Sequence, residues 1–110
     1  MVVIVTVVPV VLLLTAVLVS LAGSKHLPRN RLAGIRTHAT MKSDAAWTAA
    51  HRSAAPTVWI GAVTSTTAAV IALLSGQPAI SLIGWALVLI FLATAVVALT
   101  RADRRARRVE

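Results

Sequence analysis

The sequence has no cysteine, three acidic residues and 13% charged residues in all. The first absence excludes a disulfide framework and thiolate metal sites. The second leaves Asp44, Asp103 and Glu110 as the whole stock of carboxylates. They are too few and too scattered for paired general acid–base chemistry. The scarcity of charge excludes a soluble domain: at 110 residues, 58% hydrophobic and with a mean hydropathy of +0.88, a small fold has too little polar surface to be wetted. A bilayer suits such a chain. The net charge of +8 attracts polyanions, and for so apolar a protein anionic lipid headgroups are nearer than nucleic acid.

The long hydrophobic runs define an all-α fold of three transmembrane helices, a single membrane domain over residues 1–110. Val2 to Ala22 carries no charge and as a helix spans about 31 Å at a rise of about 1.5 Å per residue, close to the hydrocarbon thickness. Its first basic neighbour, Lys25, follows the run, whereas a secretory leader carries its positive charge in front; the segment therefore reads as an anchor. Pro9 removes one backbone donor within it. The second span covers residues 57–75 and the third residues 79–100, joined by the turn Ser75-Gly76-Gln77-Pro78. In the second, Gly61, Ser65 and Ala69 recur every four residues as a helix-packing face, beside the hydroxyls of Thr64 to Thr67, which can bond back to carbonyls one turn earlier.

Between the first two spans lies a polar loop, residues 23–56, and after the third a basic tail, residues 101–110. Loop and tail share one side of the membrane and hold all eleven Lys and Arg residues, six from Lys25 to Arg52 and five from Arg101 to Arg108. Cytoplasmic flanks retain such residues, so the expected orientation is N-terminus outside, loop and C-terminus inside. Within the loop, Ser43 as N-cap and Asp44 in the first turn predict a short amphipathic helix. Asp44, Thr48 and Arg52 fall on one of its faces, Ala46, Trp47, Ala50 and Ala54 on another, with His51 one turn after Trp47. Such a helix would lie in the interface with Trp47 as its anchor. Pro56 then either opens the second span or kinks a helix continuing from Arg52.

The loop offers little chemistry. His26, His38 and His51 are spaced too widely for a compact ligand set, so no metal is expected. There is no nucleophile–base arrangement and no Gly-rich phosphate loop; neither enzyme activity nor a cofactor is expected. Gly34 permits a positive φ or a close backbone approach, and Arg36 offers a planar fork of donors for carboxylate, phosphate or several carbonyls. Two roles stay open for Arg36: binding a ligand, or locking the loop onto helix C-termini.

Asn30, Gly34-Ile35-Arg36-Thr37, Thr40, Ser43, Trp47 and His51-Arg52 resemble the signature of the SdpI family of small bacterial membrane proteins, an N-x-x-x-G-x-R-T motif followed by a Trp and by His or Asn before a basic residue. The resemblance runs from about Leu27 through the third span. The chain departs from the pattern in two ways. Ser53 and Ala54 follow His51-Arg52 where a Gly is often found, and the additional membrane domain of longer members is missing. The resemblance implies a bacterial cell-membrane protein giving immunity to a membrane-active peptide toxin, in the best-known case together with sequestration of a transcriptional repressor. On that reading Asn30, Gly34, Arg36, Thr37, Trp47, His51 and Arg52 form the functional surface, with a toxin peptide and anionic lipids as partners. The alternative is a non-catalytic accessory subunit of a larger membrane complex, or a homo-oligomer, packed through Gly61, Ser65 and Ala69.

The charge asymmetry predicts that, in this cysteine-free chain, a His38→Cys variant reacts with a membrane-impermeant thiol reagent only after cells are opened, while Gln77→Cys reacts on intact cells. The reverse labelling would overturn the orientation.

Overall fold

A computed structural model describes residues 1–110 as three helices and no strand: α1, Val2–Gly23; α2, Asp44–Ser75; and α3, Ala79–Arg107. Each is long and apolar enough to cross a membrane, and the protein is a multi-pass membrane protein. The bundle measures 51 × 22 × 20 Å. A hydrocarbon core of about 30 Å cannot contain its long axis, so one end projects. The α2–α3 turn is only three residues long, Gly76 to Pro78, and cannot form that end. The projecting end is the basic one, built from the Ser24–Ser43 loop, the start of α2 and the end of α3.

Two side-chain contacts tie the three helices together at one level. Trp59 donates its indole N–H to Ser20 Oγ at 2.7 Å, joining α2 to α1. Arg101 reaches Thr57 Oγ1 at 3.3 Å, joining α3 to α2. A tryptophan and an arginine at one depth are what a membrane interface favours. The first three turns of α2, from Asp44 to about Arg52, lie beyond this level.

The expected short helix is not separate. Ser43, extended at φ −161° and ψ 163°, caps α2 by accepting from the Ala46 amide at 3.0 Å, and the helix then continues through Pro56 into the span. Proline forfeits one backbone hydrogen bond, but Ala46, Ala50, Ala54, Val58 and Ala62 keep one buried stripe unbroken across it. The third helix likewise outruns the expected span and takes most of the basic tail with it. Ala98, Ala102 and Ala106 continue its buried face, while Arg104, Arg105 and Arg107 occupy the last turn, where the helix dipole favours cations.

The interior is built mainly from small side chains, so the helices approach closely. Gly61 is the tightest contact: a Cβ there would lie 2.5 Å from Thr94 Oγ1. Gly61, Ser65 and Ala69 are all buried, so the small-residue face of α2 is filled by the chain's own helices. The adjacent hydroxyls bond within α2 as expected, Ser65 to the Gly61 carbonyl at 2.6 Å and Thr66 to that of Ala62 at 2.7 Å.

Gly61→Leu is therefore expected to force α2 and α3 apart and to destabilise the isolated monomer by about 1–3 kcal/mol, the usual cost of overpacking. Thermal melting in mild detergent tests this; an unchanged melting temperature would mean that Thr94 yields freely.

Candidate functional site

The polar loop is folded onto the projecting turns of α2, and the signature residues do most of the folding. Asn30 opens the sequence of contacts. Its side-chain oxygen accepts from the amides of Leu32 and Ala33 at 2.9 and 2.8 Å, and its amide donates to the Pro28 carbonyl at 2.8 Å. This turn delivers the chain to Gly34, which has φ +105° and lies so close to α2 that a Cβ would fall 2.6 Å from Trp47 Cη2 and 2.9 Å from His51 Nε2. A side chain here would be strained at this φ and would displace the Trp47 and His51 rings, so glycine is favoured.

The next residue is attached by its backbone. Ile35 N–H donates to His51 Nε2 at 2.8 Å, while His51 Nδ1 lies 2.8 Å from the Trp47 carbonyl. A carbonyl oxygen only accepts, so Nδ1 carries the proton and Nε2 is the free acceptor: the imidazole is neutral. Burial holds its pKa below the ordinary value of 6.5, and the Trp47 carbonyl bond opposes the shift less strongly. Trp47 packs on this ring with centroids 4.1 Å apart and donates its indole N–H to the Leu27 carbonyl at 2.9 Å. It is 1% exposed. Trp47 is thus not an interfacial anchor on an amphipathic helix: the loop covers it, because its N–H finds a loop carbonyl and its ring finds Gly34.

Thr37 and Thr40 close the turn. Thr40 Oγ1 donates to the Ile35 carbonyl at 2.8 Å and accepts from the Thr37 amide, also at 2.8 Å, and the Thr40 amide reaches back to Thr37 Oγ1 at 3.2 Å. Thr40 is fully buried. Lys42 donates to the Val109 carbonyl just beyond α3, so the loop is also tied to the C-terminal end of the chain. The Thr37 hydroxyl and then the Arg107 guanidinium, 2.7 Å away, hold the Asp103 carboxyl below its usual range.

The helix-locking arginine is Arg52 rather than Arg36. Its Nε and Nη2 donate to the Gly23 carbonyl at the C-terminus of α1, at 3.3 and 3.1 Å. Gly23 itself lies so near that a Cβ would meet the Arg52 backbone nitrogen at 2.9 Å. Arg36 is exposed and takes part in neither of the chain's ion pairs, Arg29–Asp44 and Arg107–Asp103. No three His, Asp or Glu side chains converge; His26 pairs with Ser24 and His38 is exposed.

These contacts form one unit spanning residues 27–52, and the model of the SdpI/YfhL protein family matches residues 26–101. The chain belongs to that family. No curated protein and no solved structure matches it. In this SdpI-family protein, six of the seven residues expected at the functional surface, Asn30, Gly34, Thr37, Trp47, His51 and Arg52, are engaged within the chain. Arg36 stands apart. The contacts that sequence reasoning missed are the main-chain acceptors at Gly23 and Leu27, for which side-chain spacing carries no signal, and the Arg29–Asp44 pair at 3.3 Å.

The neutral His51 gives the lock a pH dependence. A pKa lowered in the folded state stabilises fully above the unfolded value near 6.5 and loses that contribution as pH falls toward the folded value. The melting temperature in detergent is expected to drop between pH 7.5 and 5 in the wild type, and a His51→Gln variant, less stable at pH 7.5, is expected to show a flatter profile. Parallel profiles would show that the pH effect does not arise from His51.

Proposed function

We propose that this SdpI-family membrane protein confers immunity or resistance to a membrane-active peptide toxin, with Arg36 as the contact. The observation supporting this reading is the contrast within the signature. Its other residues fold the loop onto α2, while Arg36, fixed between Ile35 and the Thr37–Thr40 turn, presents an unpaired guanidinium at the basic end of the bundle. A planar fork of donors matches a carboxylate or several carbonyls at once. A peptide that has crossed into the bilayer as a helix offers such groups at its C-terminus, where the last carbonyls lack partners and the dipole is negative. Held on a rigid loop, Arg36 engages that end without first being ordered, which lowers the entropic cost of binding.

The reading is non-catalytic and independent of any cofactor. Signalling through a sequestered repressor, where it occurs, would use the same projecting end. An assembly with a larger complex or a second copy would use a face other than Gly61, Ser65 and Ala69.

Cells expressing the protein are expected to survive a membrane-active peptide toxin that kills cells lacking it. Arg36→Ala should remove most of that protection at unchanged membrane abundance, since a charge-assisted bidentate contact is worth about 1.5–3 kcal/mol, or about tenfold or more in affinity. Arg36→Lys, which keeps the charge and loses the fork, should protect partially. Full protection by Arg36→Ala would overturn the assignment.

A further inference from the structure

A second feature of the projecting end is untouched by this reading. A cleft of about 580 Å³ opens between the end of α1, the start of the loop and the first turns of α2, and Lys25, Arg29 and Arg52 line it. Its single carboxylate, Asp44, is already paired with Arg29 at 3.3 Å. Arg29 is held in place from a second side, its Nη1 donating to the Met41 carbonyl at 2.7 Å. Arg52 is oriented by the Gly23 carbonyl through Nε and Nη2, which leaves Nη1 without a protein acceptor. Lys25 is exposed and has no ion-pair partner. The remaining wall is mostly apolar, with Leu27, Pro28 and Trp47, and includes the Thr48 hydroxyl.

Lys25 also sits where its backbone does not favour it. It has φ +69° and follows α1 in the position that ends a helix, with the His26 and Leu27 amides turning back onto the Leu21 carbonyl. Glycine is the usual residue there because a side chain is strained at positive φ. A lysine in this place trades backbone ease for an ammonium at the mouth of the cleft. The depth is equally specific: α1 ends at Gly23, one turn beyond the Ser20–Trp59 contact that marks the interface. At that level the anions are lipid phosphates, with glycerol and the first methylenes below them.

We propose that this cleft binds the phosphate of an acidic phospholipid in the leaflet on the basic side of the membrane. Lys25, Arg29 and Arg52 surround the phosphate, and Leu27 and Pro28 pack against the glycerol end of the acyl chains. The proposal does not rest on the immunity reading, which concerns Arg36 on the far part of the loop.

The test is native mass spectrometry of the full-length protein in mild detergent, titrated separately with phosphatidylglycerol, with phosphatidylcholine and with phosphatidylglycerol plus millimolar inorganic phosphate. One phosphatidylglycerol per chain should be retained, with a preference over phosphatidylcholine of about thirtyfold or more, as about 1 kcal/mol from each of two or three cations near a headgroup gives. Lys25→Gly, which suits the backbone and removes the charge, should melt no earlier than the wild type and yet lose several-fold in retention. Lys25→Gly combined with Arg29→Gln should abolish the preference, whereas Arg104→Gln with Arg105→Gln on α3 should leave it intact. Equal loss in the α3 pair would reduce the effect to net charge, equal retention of phosphatidylcholine would remove the headgroup, and full displacement by inorganic phosphate would assign the cleft to a soluble anion. Each of these overturns the proposal, and none depends on protection from a toxin.

Discussion

The hydrogen bond from the Ile35 amide to His51 Nε2 is the contact on which the projecting end depends. A twenty-residue loop without regular structure, Ser24 to Ser43, has too few main-chain partners of its own to stay folded. A neutral imidazole solves this where a charged or aliphatic side chain could not. It accepts from the loop while donating to its own helix, and its ring packs at a tilt against Trp47 beneath Gly34. Removing it would leave a buried amide unpaired, at a cost of about 1–3 kcal/mol. Gly34, Trp47 and His51 then act together: the absent Cβ admits the rings, the indole takes the Leu27 carbonyl, and the imidazole takes the Ile35 amide.

Much of this was legible in the sequence, and the reason is local. The three spans followed from uncharged runs, and the start of α2 from Ser43 and Asp44, because length in lipid and capping are properties of neighbouring residues. The faces of α2 were also readable: Ala46, Trp47, Ala50, His51 and Ala54 are buried together, while Asp44 and Arg52 are exposed. What escaped was whatever depends on the far partner. Nothing near Pro56 says whether a helix stops or continues; the stripe running on to Val58 and Ala62, packed against neighbouring helices, decides it. Trp47 reads as a membrane anchor until a loop carbonyl twenty positions earlier is seen to take its N–H. Locking the loop onto helix C-termini is one of two roles the sequence leaves open for Arg36; Arg52 supplies the lock on α1, because Gly23 lets α1 come within contact of the Arg52 backbone.

The distribution of charge follows the same division. Arg52 fastens α2 to the end of α1, Lys42 ties the loop to Val109 just beyond α3, Arg29 joins the loop to Asp44, and Arg107 shields Asp103. These cations cap main-chain carbonyls or neutralise carboxylates and are structural in that sense. With two of the three acidic side chains already paired, the chain has almost nothing left to neutralise its other cations. They must be satisfied by water, by lipid phosphate or by a partner. That shortage of internal anions is set by composition alone and leaves the projecting end strongly positive.

Position then separates the unpaired cations by what they can meet. Arg104, Arg105 and Arg108 lie at the C-terminal end of α3 on long side chains, where the dipole and a diffuse lipid potential act on them without geometry. Lys25 and Arg36 differ because the backbone under each is held: Lys25 by the turn that ends α1, Arg36 by Ile35 on one side and the Thr37–Thr40 turn on the other. Fixed cations select a ligand by shape as well as by charge, since little conformational freedom is lost when they bind. The two lie apart, Lys25 at the cleft beside the end of α1 and Arg36 on the exposed loop. The signature residues thus fold a polar loop onto a helix, and in doing so they fix the backbone under Arg36, as the turn that ends α1 fixes it under Lys25.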